Sequence, residues 1–276
     1  MSFNSVNTNR QAVFALQSLN QTNSELNGVQ KRVSTGYRVA DARDDGGAFA
    51  VAQAVRSDVA GVTAVGEQLG GTRGILSTTF AALSVVSDTM KQARAVLTRL
   101  ADAAVTGSSR TQYEEQYTLL KGQIDGFIDD AQYNGRTLLS TDTGAGGGSI
   151  TSIRNETGGT FTINAVDGAS LKLDAVPTDS AAAVARLGSS GDFSTKQSAI
   201  STALNEFGAQ MQFVENQITY NSKKTDALND GLGALVDADL AKESSKLQAL
   251  QTRQQLGVQT LGIANQGPQI LLSLFR

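Results

Sequence analysis

Near the N-terminus, Val13, Leu16, Leu19, Leu26, Val29 and Val33 recur at steps of three, four or seven, which places them on one side of an amphipathic helix. Gly36 is a natural stop for it. The pattern resumes at Phe49, passes through Ala52, Val55, Val59, Val62, Val65 and Leu69, and continues from Leu76 through Phe80, Leu83, Val86, Met90, Val96 and Leu100. This predicts one helix of unusual length, with Gly70-Gly71 as its candidate break. A third helix is predicted over 111–131, with Tyr113, Tyr117, Leu120, Ile124, Phe127 and Ile128 inward and Asn134-Gly135 as the turn after it.

The period then changes. Residues 160–165 alternate around Phe161 and Ile163, residues 170–175 alternate around Leu171 and Leu173, and Asp167-Gly168 lies between them, which predicts a β-hairpin. Helical spacing returns with Ile200, Leu204, Phe207, Met211, Val214 and Ile218, whose steps of four and three make a coiled-coil-like seam. The seam extends to Leu228, Leu232 and Leu235, then to Leu247, Leu250, Leu261 and Leu271. The predicted fold is mainly α: a long antiparallel helical hairpin or coiled-coil bundle built from both halves of the chain, with a β-hairpin region at about 149–176.

Composition narrows the function. A chain of 276 residues with 40% hydrophobic content can bury a sizeable core, but 5% aromatic residues and no Trp leave the packing to Leu, Val, Ile and Ala. With neither His nor Cys, the chain lacks the usual neutral-pH general base, the thiolate nucleophile and the zinc ligands. The adjacent Glu114 and Glu115 diverge on a helix, and a solvated face explains them better than catalysis. No catalytic, metal or cofactor site is expected. A net charge of -3 points to neither nucleic acid nor an anionic membrane as partner, and no apolar run is long enough to span a bilayer. Residues 1–33 contain no continuous apolar core of a signal peptide, so a secreted protein of this kind is expected to leave the cell without a cleaved signal.

Both terminal helices carry amides where a solvated helix prefers Lys and Glu. Asn4, Asn7, Asn9, Gln11, Gln17, Asn20, Gln21, Asn23 and Asn27 mark one end, and Gln248, Gln251, Gln254, Gln255, Gln259, Asn265, Gln266 and Gln269 the other. Two amphipathic helices that pair only with each other would account for this. So would helices packed between subunits along a passage where strong charge is unwelcome.

The stretch "VQKRVSTGYRVADARDDGGAFAVAQAV" resembles the bacterial flagellin signature of helix, Ser-x-Gly-x-Arg turn, basic-Asp-Asp pair and second helix. "DAQYNGRTLL" resembles the family's Asn-Gly turn, "TFTINAVDGASLKLD" its β-hairpin, and "VDADLAKE" with "GIANQGPQILLSLFR" its C-terminal end. The resemblance covers 1–139 and about 200–276. It implies a self-assembling subunit of the flagellar filament, with the hook–filament junction protein of the same family as the alternative. A chemoreceptor-type signalling hairpin fits less well, because such hairpins have charged faces and no β-hairpin.

The same resemblance implies an inner coiled-coil polymerisation domain from 1–42 and 234–276, and an outer helical domain from 43–233. Leu16, Leu19, Leu26, Val33, Leu250, Leu261, Leu271 and Leu274 would form the polymerisation interface. Gly36, Arg38, Arg43, Asp44, Asp45, Gly46, Gly47, Gly231 and Gly233 would form the inter-domain connectors. Asp44 or Asp45 would cap the second helix, Arg38 and Arg43 would pair with the carboxylates, and Asp41 is expected to be merely solvated. Implied partners are further copies, alone or mixed with other flagellins, together with the export apparatus, an export chaperone, the filament cap and hook-junction proteins.

Two departures stand out. Where flagellins show a Ser-Ala-Arg-Ser-Arg run, this chain has Asp230-Gly231-Leu232-Gly233-Ala234, which predicts a more flexible return connector. On the long second helix, the segment by which the innate immune Toll-like receptor recognises flagellins reads Lys91-Gln92-Ala93-Arg94-Ala95-Val96. Gln92 replaces an Arg and Val96 a Leu, leaving Arg94 as the main matching residue and predicting a poor agonist. The last twenty residues are apolar on many sides and contain Pro268, expected to kink or interrupt the helix. Both terminal helices are therefore expected to be disordered in the lone chain and to fold on assembly.

Overall fold

The computed structural model describes residues 9–274, with side chains described for 9–266. Six helices and one two-stranded sheet follow in order among the described residues: α1 (Arg10–Thr35), α2 (Gly46–Leu100), α3 (Gly107–Asp129), β1 (Ile150–Ile153), β2 (Thr160–Ile163), α4 (Ser180–Leu187), α5 (Asp192–Val236) and α6 (Leu240–Leu274). Short 3₁₀ turns occupy Thr143–Ala145 and Gly168–Leu171. The chain divides into two units, one of Met1–Ser57 with Ala227–Arg276 and one of Asp58–Asp226.

In the unit of Asp58–Asp226 the predicted stripes converge. Leu69, Leu76, Leu83, Val86 and Met90 of α2 meet Tyr117, Leu120, Ile124 and Ile128 of α3 and Ile200, Phe207 and Val214 of α5 in one enclosed core. α2 runs 55 residues without a break at Gly70-Gly71, because Leu69 and Thr72 on either side are buried and their packing outweighs the propensity cost of two glycines. Phe127, expected inward, is exposed. The buried line of α3 passes through Ile124 and Ile128, and Phe127 stands beside it, so an apolar stripe two residues wide was one too many.

The hairpin also differs from expectation. β2 pairs antiparallel with β1, not with 170–175, in the register Ile150 with Ile163 and Ile153 with Thr160. Asp167 accepts from the Ala169 N–H and opens the Gly168–Leu171 turn. Gly168 is there because a Cβ would sit 2.3 Å from the Leu139 carbonyl oxygen, so the dipeptide marks a close approach and not a hairpin turn. Leu171 and Leu173 are nevertheless buried, as the alternation required. The hairpin is held at both ends: Thr72 and Ser152 hydroxyls meet at 3.1 Å, while Glu156 pairs with Lys224 and lies against Gly61.

In the other unit α1 and α6 are paired helices in the single chain, against the expectation of disordered ends, and α6 continues across Pro268. Leu26, Val29 and Leu250 are enclosed, with Val33 and Leu247 packed against them. The first turns of α2 and the last of α5 belong to this unit. Ala48, Phe49, Leu232 and Leu235 surround a small core of Val39, Ala52 and Val236.

Candidate polymerisation surface and connectors

Gly36 ends α1 in the left-handed conformation, φ 74°, donating to the Arg32 carbonyl at 2.9 Å. Its own carbonyl accepts from the Ala238 N–H at 2.8 Å, and the N–H groups of Arg38 and Val39 both reach the Val236 carbonyl. Tyr37 and Asp237 thereby form an isolated antiparallel bridge. The two crossing segments brace each other through backbone hydrogen bonds, and the buried Val39 anchors the outgoing one.

The aspartates share the work. Asp45 accepts from the Ala48 N–H at 3.0 Å and caps α2. Asp44 closes the preceding loop by accepting from the N–H groups of Ala40 and Asp41. Lys31, near the end of α1, then clasps both Asp41 and Asp44, at 2.9 and 2.8 Å. The hydrogen bond from Lys31 and the Arg43 N–H hold the Asp41 carboxyl at about 2, and Lys31 followed by the Ala40 N–H holds Asp44 below its usual range. Hydrogen bonds to Asp44 and then Asp41 raise Lys31 in turn.

The sequence does not single out Lys31, because it precedes its partners by 10 and 13 residues, a spacing no helical or turn rule covers. Asp41 is part of the clasp, not merely solvated. Of the two arginines, Arg38 departs from expectation by donating to the Leu235 carbonyl at 2.5 Å, while Arg43, its side chain 92% exposed, pairs with the Asp41 carboxylate at 3.4 Å. Gly46 and Gly47 lie in the first turn of α2 and are exposed. Gly231 and Gly233 are inside α5, which is helical to Val236, so the return path is not a flexible linker. A Cβ at Gly233 would meet the Asp237 carboxylate at 2.8 Å, which explains one of the two glycines.

The α1–α6 pair leaves much of its apolar surface open. Of the expected interface residues Leu26 and Leu250 are buried, Leu19, Val33 and Leu261 half-buried and Leu16 exposed; Leu271 and Leu274 lie outside the residues whose side chains are described. Val13 and Phe14 on α1 are 62% and 70% exposed, and Leu256, Val258 and Ile263 on α6 are 56%, 56% and 70% exposed. Gln255, Gln259 and Gln266 are exposed as well. In the receptor-like segment Gln92 and Arg94 are accessible, with Arg94 donating to Gln197 at 3.3 Å. Val96, expected as a receptor anchor, is buried in the core and offers no surface.

Among the described residues no group of acidic side chains could hold a metal ion, and no helix is long and apolar enough to cross a membrane.

Residues 6–143 match the bacterial flagellin N-terminal helical region, and residues 194–275 match the C-terminal helical region. The chain is 36% identical over 283 residues to the flagellin FljK of Caulobacter vibrioides, covering 100% of both chains. It is 32% identical over 291 residues to a flagellin of Brucella melitensis, covering 99% of each. The crystal structure of Bacillus cereus flagellin shares the fold, with a TM-score of 0.51 at 23% identity over 56% of this chain and 88% of that one. The chain therefore belongs to the bacterial flagellin family, the structural subunits from which flagellar filaments are built.

Proposed function

We infer that the exposed apolar faces of α1 and α6 are where copies of this filament subunit pack on one another, with the Lys31 clasp and the crossing segments holding those helices in place. The observation that carries this is the open apolar surface beside a thinly filled seam: Val13, Phe14, Leu16, Leu256, Val258 and Ile263 are large, exposed and on paired helices. Leu19, Leu26, Val33, Leu250 and Leu261 support the pair. Gly36, Arg38, Arg43, Asp44, Asp45, Gly46 and Gly47 act as the outgoing connector, and Gly231 and Gly233 belong to the helix that enters the return.

The partners of such a subunit are further copies, alone or with other flagellins, and in passage the export apparatus, an export chaperone, the filament cap and the hook-junction proteins. Export proceeds without cleavage of a signal peptide, which the N-terminal sequence of filament-derived protein tests. With Gln92 in place of an Arg and Val96 withdrawn into the core, the chain is a poor agonist of the Toll-like receptor. Strong signalling by purified monomer would refute that. The exposed amides of α6 face the central channel, so replacing Gln255, Gln259 and Gln266 by Leu leaves polymerisation intact and shortens filaments in cells.

Electron microscopy of purified chain after addition of a precipitating salt tests the main reading. Long filaments are expected, and short collars or amorphous material would favour the junction-protein alternative.

A further inference from the structure

The contacts between α1 and α6 keep a single antiparallel register. Asn9 donates to the Ala264 carbonyl at 2.7 Å, Leu19 rests on Gly257, Gln254 donates to Asn23 at 2.7 Å, Leu26 shares a cluster with Leu250, and Arg32 faces Glu243 at 3.2 Å. From Leu19 to Arg32 each step along α1 is matched within one residue by a step back along α6.

Apolar burial does not account for this register. Among the described residues, the enclosed apolar side chains of α1 and α6 are Leu26, Val29 and Leu250, with Val33 and Leu247 packed against them. A slip of three residues back along α6 brings Leu247 into the place of Leu250 against Leu26, one aliphatic contact for another, which is the situation in which a polar pair decides alignment. Two contacts are not exchangeable. A slip leaves the half-buried amides of Asn23 and Gln254 opposite other residues, with their mutual hydrogen bond broken. The seat of Leu19 is equally particular, since a Cβ at Gly257 would lie 3.2 Å from Leu19 Cδ1. In a slip of three residues back or four forward along α6, Gln254 or Leu261 takes that place, and neither offers that space.

We propose that Asn23, Gln254 and Gly257 set the register of the α1–α6 pair and thereby determine which apolar face the subunit presents to further copies of the chain. The second half rests on the filament reading above. A one-turn slip displaces Val13, Phe14 and Leu16 by about 5.4 Å relative to Leu256, Val258 and Ile263, so neighbouring copies no longer meet a continuous surface. Asn23, Gln254 and Gly257 are positioning residues: they touch each other's helix and leave the outward face to other side chains.

The chain contains no cysteine, so introduced pairs report directly which positions meet. Ala15→Cys with Leu261→Cys probes the observed register; Ala15→Cys with Val258→Cys or with Asn265→Cys probes slips in either direction. In the otherwise unchanged monomer the first pair is expected to crosslink preferentially. The preference should vanish in Asn23→Leu/Gln254→Leu and in Gly257→Leu, and return in the exchanged variant Asn23→Gln/Gln254→Asn, which keeps an amide on each helix. Seeded elongation, measured on cysteine-free versions, should be lost in the dileucine variant and retained in the exchanged one. A preference undiminished in both the dileucine and Gly257→Leu variants overturns the register assignment. Normal elongation by a dileucine variant of scrambled register overturns its link to assembly. If instead the unsubstituted chain fails to extend seeds while its crosslinking preference holds, the filament reading fails and the register assignment stands.

Discussion

In the unit of Asp58–Asp226 one cluster encloses 26 residues from α2, α3, the hairpin, α4, α5 and the segments between them, whereas among the described residues the apolar side chains that α1 and α6 enclose between them are Leu26, Val29 and Leu250. Both regions are regular helix, and both carry apolar stripes that are easy to see in the sequence. What separates them is the number of faces available to exclude water. A two-helix pair can cover one stripe on each helix; three long helices, a hairpin and a short helix cover a stripe from all sides. Three enclosed apolar side chains contribute little against the backbone entropy of ordering two long helices, so the pair is the less stable region and gains most from whatever else covers its open apolar faces. The larger core has no such dependence. The difference teaches that helicity alone does not distinguish a self-sufficient region from one completed by its neighbours; the degree of enclosure does.

Removing residues 257–276 would test that dependence most severely. The truncated chain is expected to keep the cooperative unfolding of the larger core and to fail completely in seeded elongation. Extension of seeds at a normal rate would break the comparison, because the pair would then not be the assembly-dependent region.

Single core substitutions should separate the regions less drastically. Phe207 is fully buried, and Phe207→Ala is expected to cost about 3–5 kcal/mol in urea unfolding of the monomer. Leu250→Ala should leave that main transition where it is and lower helical content at lower denaturant, since its surroundings belong to the thin pair. If both variants shift the same transition equally, the two regions unfold as one.

Much of this contrast was legible beforehand, and the failures have local causes. The stripes of α2, α3 and α5 were readable because a 3.6-residue period sustained over many turns leaves little ambiguity. Leu69, Leu76 and Leu83 are buried where that period puts them. β1 is not legible because the buried position of Ile150–Ile153 is Ser152, which breaks the apolar alternation, and β2 reads as paired with the wrong segment because Asp167-Gly168 imitates a hairpin turn. The caps at Asp45 and Gly36 were legible, as both act within a few residues of their own position. The clasp by Lys31 and the seating of Arg38 on the Leu235 carbonyl were not, because each joins residues that only the fold brings together. Gly231 and Gly233 suggested flexibility, yet the turns around them are held by Leu232, Leu235 and Val236 in a small core.

Acid should act differently on the two regions. Asp41 and Asp44 are depressed below 3.8, so their contribution to the connector is complete above that pH and is lost as pH falls through their folded values, about 2 for Asp41. Lys31 is raised above 10.5, so its contribution is complete below that pH and disappears as pH rises through its folded value. In the larger unit Asp192 is raised, by burial and then by the neighbouring Asp174, with Lys196 2.8 Å from Asp174 and 3.3 Å from Asp192. Its protonation favours the folded state as pH falls from neutrality toward 3.8. Amide exchange at Ala40 and Asp41, whose N–H groups bond Asp44, should therefore accelerate only below about pH 4 after correction for intrinsic rates, and Lys31→Met should bring that acceleration to higher pH. Unchanged exchange in Lys31→Met would show that the backbone bonds hold the loop without the clasp.

The smallest effect expected is a gain. Gly70 and Gly71 sit in the middle of α2, neither has a positive φ, and a Cβ built at either meets nothing within 4 Å. Alanine there removes backbone freedom from the unfolded chain without straining the folded one, so Gly70→Ala should stabilise the monomer by about 0.4–1 kcal/mol, and Gly71→Ala by a similar amount. Because both positions lie in the region that encloses its own core, the gain should appear in the main unfolding transition and leave exchange along α1 and α6 untouched. Destabilisation by either alanine would mean that the helix bends at this point in solution and that the glycines permit the bend. In that case the uninterrupted packing of Leu69 and Thr72 does not govern this part of α2, and the self-sufficient region has a joint within it.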